Sequence, residues 1–274
     1  MNGNDKVILE FRELTKQYPG TTALQNVSFG IKKGEIFGLV GENGAGKSTL
    51  LSILSGAVQE TSGEIFIEGR KLTGNPYNRR KKGISMVYQG LGLALHLTGE
   101  ENILLGNEIT NHIGVINRKK QLEKANKLMQ SVGVEIDLKV PALSLSADER
   151  QLVAIIRAIS LNAKIIALDE PTSSLSKGEV EKLFKIINDL SKKRITFIFV
   201  SHHLDEVFQI SDRIAVLKDG KLQGIRKTEE MTPHSLAEMM VGSKIFKKHD
   251  TKFSNKKSTH SDKILMEVKN LTKK

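Results

Sequence analysis

The residues best suited to do chemistry lie in a glycine-rich loop. Residues 41–48 read Gly-Glu-Asn-Gly-Ala-Gly-Lys-Ser and fit the pattern G-x-x-x-x-G-K-[ST]. The apolar segment before the loop, 36–40, is typical of a buried strand, and the segment 48–54 is typical of a helix. Backbone N–H groups at such a helix start can surround a phosphate chain. The loop therefore predicts a nucleotide site rather than a chance turn.

Two side chains of this loop have the chemistry that phosphate binding needs. We expect the Lys47 ammonium to reach the β- and γ-phosphates and the Ser48 hydroxyl to ligate Mg²⁺.

A second segment, 164–170, is an apolar strand pattern that ends in two carboxylates, Asp169 and Glu170. An aspartate at the end of such a strand can hold Mg²⁺ directly or through water. A glutamate beside it can act as a general base on an attacking water. In isolation the pair is more typical of a helix cap or a solvated edge, but the upstream phosphate loop favours catalytic roles. A helix is predicted after it over 178–192.

A third apolar strand pattern, 195–200, is followed by Ser201, His202 and His203. Ligands of α/β folds gather at the carboxyl ends of strands. We therefore expect His202 to contact the γ-phosphate, and His203 to be structural or exposed.

Composition and charge exclude several classes of protein. The chain has 274 residues, 39% of them hydrophobic, and no cysteine, which excludes disulfides and thiolate metal sites. No apolar run approaches about 18 residues and the first residues lack a signal-peptide layout, so membrane association is expected to be peripheral. The net charge is +11, of which +7 lies in residues 243–274. That distribution is more typical of a basic linker than of a nucleic-acid-binding face.

Residues 8–16, Ile-Leu-Glu-Phe-Arg-Glu-Leu-Thr-Lys, resemble residues 265–273, Leu-Met-Glu-Val-Lys-Asn-Leu-Thr-Lys. The stretch between the first domain and the second copy is polar and rich in lysine and serine. We predict a nucleotide-binding domain over 1–243, a basic polar linker over 244–262 and the start of a second, truncated domain over 263–274. The alternative is a coincidence in a short window.

Together these segments resemble the nucleotide-binding domain of an ABC transporter, up to about residue 242. The resemblance rests on Walker A (41–49), Gln89 in the Q-loop, Walker B (165–170), the switch histidine His202 and Tyr18, which matches the adenine-stacking aromatic. It implies an α/β P-loop NTPase fold with a mixed sheet core, an antiparallel β subdomain (near 7–35 and 63–70) and a helical subdomain (roughly 95–160).

The resemblance also implies the site. ATP and Mg²⁺ are the expected ligands, Mg²⁺ being held by Ser48, Gln89 and Asp169, and Glu170, His202 and Gln89 are the expected catalytic residues. The expected ATP contacts are Tyr18, Gly41, Asn43, Gly44, Ala45, Gly46, Lys47, Ser48 and Thr49.

Finer features, such as residues 204–208, 217–220 and 239–242, are similar to the tandem ATP-binding subunits of ribose-, galactose- and xylose-type importers. This implies an ATPase at the cytoplasmic face of a bacterial membrane. Its implied partners are a second nucleotide-binding domain of the same polypeptide, permease subunits and, indirectly, a solute-binding protein; no nucleic acid is expected. The alternatives are an importer of nucleosides or other small solutes, a soluble tandem ATPase acting on ribosomes or nucleic acid, and a non-catalytic ATP-gated subunit.

The family's Leu-Ser-Gly-Gly-Gln signature is altered here. Residues 145–149 read Leu-Ser-Ala-Asp-Glu, in which Ser146 and Glu149 have the spacing of a capping box. Asp148 would place negative charge where a partner's phosphate must dock. We therefore expect a stable helix start, a poor ATP clamp and two unequal composite sites. The D-loop stretch 173–176, Ser-Ser-Leu-Ser, has a serine where an aspartate is common, and Gly90 follows Gln89 where this subfamily usually has an acidic residue.

Overall fold

A computed structural model describes residues 6–88 and 90–241 of the chain. Two β-sheets and eight α-helices make up this part. The strands are β1 (Val7–Tyr18), β2 (Thr21–Lys32), β3 (Ile36–Val40), β4 (Ser62–Ile67), β5 (Arg70–Lys71), β6 (Ile84–Val87), β7 (Ile165–Asp169), β8 (Thr196–Val200), β9 (Arg213–Lys218) and β10 (Lys221–Lys227). The helices are α1 (Lys47–Ser55), α2 (Pro76–Lys81), α3 (Gly99–Leu104), α4 (Arg118–Val132), α5 (Ala147–Ser160), α6 (Lys177–Lys192), α7 (Leu204–Ile210) and α8 (Pro233–Val241).

The larger sheet is mixed and has the order β10-β9-β3-β8-β7-β6. Its strands β9, β3, β8, β7 and β6 run parallel, and β10 is antiparallel to β9. Every residue of β3 and β8 is buried, as expected for parallel strands that are covered on both faces. The smaller sheet is antiparallel, in the order β2-β1-β4-β5. The fold prediction is therefore confirmed.

Three apolar clusters hold these layers together. One joins the antiparallel sheet and α1 to one face of the mixed sheet, and another covers the opposite face with α5 to α8. Alternation along β3 supplies both, since Phe37 and Leu39 enter the first cluster and Ile36 and Val40 the second. The third cluster is the core of the helical subdomain, formed by α3, α4 and α5. Helix α5 belongs to both the second and third clusters and so joins the helical subdomain to the sheet.

Local boundaries differ from the predictions by one or two residues. Helix α1 begins at Lys47 rather than at 48, and β7 ends at Asp169, which leaves Glu170 outside the strand. The predicted helix over 178–192 is α6, which begins one residue earlier. The predicted linker and second domain lie outside the described residues.

A buried arginine holds the end of α1 in place. Arg79 of α2 is 4% exposed, and its guanidinium donates to the carbonyls of Ile53, Leu54 and Gly74. The Glu60 carboxylate lies 3.8 Å from it. Since the last carbonyls of a helix have no partner within the helix, this cation both satisfies them and complements the negative end of the helix dipole.

We predict that Arg79→Met lowers the free energy of unfolding by about 3 kcal/mol, because it leaves buried carbonyls without a donor and the Glu60 carboxylate without its nearby cation. Urea denaturation measures this. The matched control is Arg80→Met on the same helix, expected to change stability by no more than about 0.5 kcal/mol. Equal effects of the two substitutions would contradict the capping role.

Candidate functional site

The glycine-rich loop connects the carboxyl end of β3 to α1, and two glycines let it lie close to other backbone. A Cβ on Gly41 would lie 2.3 Å from the Leu217 carbonyl oxygen, and one on Gly46 would lie 2.6 Å from the Ala23 carbonyl oxygen. Gly46 also has φ of 104°, which disfavours residues with a side chain. The loop is thus fixed against β9 and β2, and its amides stand at the N-terminus of a nine-residue helix.

Lys47 is a buried cation in this loop. Its side chain reaches back so that Nζ donates to the Gly41 carbonyl at 2.6 Å and to the Glu42 carbonyl at 3.0 Å. Burial lowers the pKa of the ammonium group, whereas the charges of Glu170 and Asp169 act to raise it. A positive charge with so few partners fits an anionic ligand at the loop.

The two carboxylates lie at the end of the neighbouring parallel strand. Asp169 is the last residue of β7 and pairs with Val200 of β8. Burial raises the pKa of the Asp169 carboxyl, and the charge of Glu170 adds to this, while Lys47 opposes it. Glu170 follows in the left-handed region (φ 50°), with its N–H donating to the Val200 carbonyl at 2.8 Å. Glu170 therefore lies at the point where the chain leaves β7 and remains hydrogen-bonded to β8.

His202 meets Glu170 across the two strand ends. Its Nδ1 lies 3.0 Å from Oε1 of Glu170, and the histidine side chain is about half exposed. His203 is the residue just before α7, and its ring centroid lies 4.1 Å from that of His202. The two adjacent histidines are therefore placed differently: His202 contacts the Glu170 carboxylate, whereas His203 lies at the start of α7.

Two adjoining cavities surround these groups and share Asn43 and Glu170. The first, of about 220 Å³, is lined by Ala23, Asn43, Gly44, Ala45, Gly46, Lys47, Ser48, Thr49, Asp169 and Glu170. The second, of about 530 Å³, is lined by Gly41, Glu42, Asn43, Glu170, His202 and Met240. The structure thus brings together the loop, both carboxylates and His202.

Two expected site residues are not brought to these cavities. Tyr18, at the end of β1, is 40% exposed and lines neither cavity, and the Lys16 ammonium lies 4.9 Å from its ring centroid. Its adenine-stacking role stays a prediction. Gln89 lies outside the described residues, so its catalytic and metal-binding roles also stay predictions.

Side chains that the motifs do not reveal hold the strand ends together. The Glu206 carboxylate of α7 accepts from the Thr172 hydroxyl at 2.5 Å and from the Ser201 hydroxyl at 3.0 Å. Ser201 Oγ in turn accepts from the His203 N–H at 3.0 Å. Glu206 therefore joins the loop after β7 to the loop after β8, next to Glu170 and His202. Its sequence signals are its place in the acidic first turn of α7 and in the segment 204–208, but neither reveals which loops it joins.

The predicted capping box at the start of α5 is confirmed. The Ser146 hydroxyl accepts from the Glu149 N–H at 3.4 Å, and the Glu149 carboxylate accepts from the Ser146 N–H at 2.8 Å. Asp148 also accepts a hydrogen bond from the Ser146 hydroxyl. The side chains of this segment thus bind the amides and the hydroxyl that an incoming anion would otherwise use.

The donor set of the first cavity fits a polyphosphate with Mg²⁺. The loop offers backbone amides and the Lys47 ammonium to phosphate oxygens, and Ser48 and Asp169 offer oxygen ligands to the metal. No group of three or more histidine and carboxylate residues that could hold a metal occurs among the described residues. Mg²⁺ suits such a site because it takes one or two protein ligands and completes its shell with phosphates and water.

Within residues 6–88 and 90–241, no helix is long and apolar enough to cross a membrane.

Comparisons with known proteins place this arrangement in a family. The family described as ABC transporter matches residues 24–173, more than half of the chain. The ribose import ATP-binding protein RbsA of Hahella chejuensis is 41% identical over 239 residues, 87% of this chain and 48% of that protein. The xylose import ATP-binding protein XylG of Thermoanaerobacter pseudethanolicus is 41% identical over 268 residues, 97% of this chain and 52% of that protein. The chain spans about half the length of the curated relatives it matches.

A solved structure agrees with these relatives. The ADP conformation of an ATP-binding cassette of an ABC transporter matches with a TM-score of 0.73 and 25% identity, over 89% of this chain and 99% of that chain. Fold, loop, strand-end carboxylates and relatives agree, and the chain belongs to the ABC transporter family, as one of its ATP-binding cassettes.

Proposed function

We propose that this chain binds and hydrolyses ATP to drive the import of a sugar through a membrane ABC transporter. The observation that carries the proposal is the convergence of the loop, Asp169, Glu170 and His202 on two cavities that share Asn43 and Glu170. The sugar assignment is supported by relatives that are named for ribose and xylose import. The alternative is that ATP hydrolysis drives the import of a nucleoside or another small solute, which would use the same cassette chemistry.

In this proposal each part of the site has a distinct task. The loop amides and Lys47 bind the β- and γ-phosphates. Glu170 accepts a proton from the water that attacks the γ-phosphate, and His202, 3.0 Å from its carboxylate, orients it and contacts the γ-phosphate. Glu206 positions both by tying their loops together.

Mg²⁺ would be held by Ser48, Asp169 and Gln89, and it would neutralise charge on the phosphates. Tyr18 would stack on the adenine from the end of β1. Burial raises the pKa of the Asp169 carboxyl and so disfavours its charge. A nearby divalent cation would oppose this effect and favour the charged, metal-binding form.

We further propose that the chain is the first half of a tandem machine with unequal sites. Its length relative to its relatives supports this, as does the sequence repeat over 265–273. The second domain would supply a signature that clamps ATP bound at Lys47. The segment 145–149 would clamp poorly, because its own side chains occupy the α5 amides and two carboxylates repel phosphate. Permease subunits and, indirectly, a solute-binding protein would complete the assembly at the cytoplasmic face of the membrane.

The unequal-site proposal predicts that the chain carrying Glu170→Gln, which traps bound ATP, stays monomeric with Mg-ATP. Adding Ala147→Gly, Asp148→Gly and Glu149→Gln removes the carboxylates and should permit ATP-dependent dimers. Light-scattering mass measurement tests both. Adding Lys47→Ala to the second variant is the control and should abolish the dimers. Dimers of the Glu170→Gln chain with an unaltered 145–149 segment would contradict the proposal.

The general-base proposal is best tested where both halves of a composite site are present. In the chain with residues 147–149 altered as above and Glu170 intact, we expect measurable phosphate release from ATP. Introducing Glu170→Gln there should lower turnover on the order of 10²-fold while ATP affinity stays within about twofold, because only proton transfer is removed. Glu181→Gln, an exposed carboxylate on α6, is the matched control and should leave turnover unchanged. Equal turnover with Glu170→Gln would exclude this role.

A further inference from the structure

The aromatic ring at the end of β1 has a cation beside it. The Lys16 ammonium lies 4.9 Å from the centroid of the Tyr18 ring, which is within the range of a cation–π contact. The Lys16 side chain is half-buried, whereas Tyr18 is 40% exposed. The lysine therefore covers part of the ring, and another part of the ring stays accessible to a ligand.

A backbone carbonyl fixes the position of this ammonium group. Lys16 Nζ donates to the Gln59 carbonyl oxygen at 2.7 Å. Two further hydrogen bonds hold the end of β1 to the same segment: the Gln17 N–H donates to the Thr61 hydroxyl oxygen at 3.0 Å, and the Thr61 N–H donates to the Thr15 carbonyl oxygen at 2.9 Å. Because both the backbone and the ammonium are held, the ring beside them is held as well.

The segment that holds the lysine is connected to the phosphate loop. Residues 56–61 lead from the end of α1 to β4, and α1 begins in that loop. On the other side, the Ala23 carbonyl of β2 lies close to Gly46, and Ala23 lines the first cavity. Tyr18 pairs with Thr21, which is two residues from Ala23, or about 7 Å at the usual rise of a strand. The ring therefore lies just outside the first cavity.

We propose that Lys16 is a positioning residue for base binding: it holds the Tyr18 ring from one side, so that a purine base stacks on the other. This proposal rests on the proposed function, since it needs a nucleotide at the loop. A ring that is fixed before the ligand arrives loses less conformational entropy when the ligand binds. Because Lys16 lines neither cavity, its effect should depend on the base and on Tyr18 rather than on the phosphates.

Calorimetric titration of the 274-residue chain with Mg-ATP, and with inorganic tripolyphosphate as a probe that has no base, tests this. We expect Lys16→Met to weaken ATP binding about 3- to 10-fold through the lost cation–π contact, and tripolyphosphate binding less than about twofold. Lys16→Arg, which can still contact the ring and donate to the Gln59 carbonyl, should keep ATP affinity within about twofold. Lys81→Met is the matched control. The Lys81 ammonium lies 4.5 Å from the Tyr77 ring on α2 and lines neither cavity, so neither affinity should change.

Substitution of the tyrosine shows which part of the account fails. Tyr18→Leu should weaken ATP binding about tenfold, and adding Lys16→Met should cause no further loss, because the lysine acts through the ring. Unchanged ATP binding in Lys16→Met beside weaker binding in Tyr18→Leu would overturn the positioning role and leave the nucleotide site in place. An equal loss for tripolyphosphate, or an equal loss in the chain with Tyr18→Leu, would also overturn it, since the lysine would then act on the phosphates directly. Unchanged ATP binding in Tyr18→Leu would overturn the stacking role together with this proposal, and no ATP binding by the unaltered chain would overturn the proposed function itself.

Discussion

The structure of the site depends on one buried ammonium group, that of Lys47. A desolvated cation is costly unless oxygen atoms surround it, and here two loop carbonyls do so at 2.6 and 3.0 Å. Those carbonyls are in reach because the loop turns sharply after β3 and packs closely on β2 and β9 at Gly41 and Gly46. The charge of the ammonium also lowers the pKa of the Asp169 carboxyl at the end of β7, against the effect of burial. The order of the parallel strands places the ends of β3, β8 and β7 side by side, and so brings the loop, His202 and the two carboxylates together.

A helix start can bind a foreign anion or be satisfied by its own side chains, and this chain shows both outcomes. At α1 the N-cap is Gly46, which has no side chain to accept from the helix amides. At α5 the Ser146 hydroxyl and the Glu149 carboxylate form a capping box, and Asp148 adds a further acceptor. The same physical feature thus favours phosphate at one helix and disfavours it at the other, which is the basis of the unequal-site proposal.

The sequence predicts those parts of the molecule that depend on short spacing. The loop pattern, the capping box at Ser146 and Glu149, and the apolar strands that end at Asp169 and Val200 are all local, and the structure has them within one or two residues. Contacts between distant segments could not be read in the same way. Glu206 joins two loops that only the strand order brings together, and Arg79 reaches the end of α1 from a helix about 25 residues later.

The central claim is that the Lys47 loop is a nucleotide site, and calorimetric titration of ATP into the chain tests it most directly. With Mg²⁺ present, we expect saturable binding of one ATP per chain. Lys47→Met, which keeps the apolar stem and removes only the charge, should weaken it by at least about tenfold. Equal affinity of the two chains, or no binding by the unaltered chain, would contradict the account.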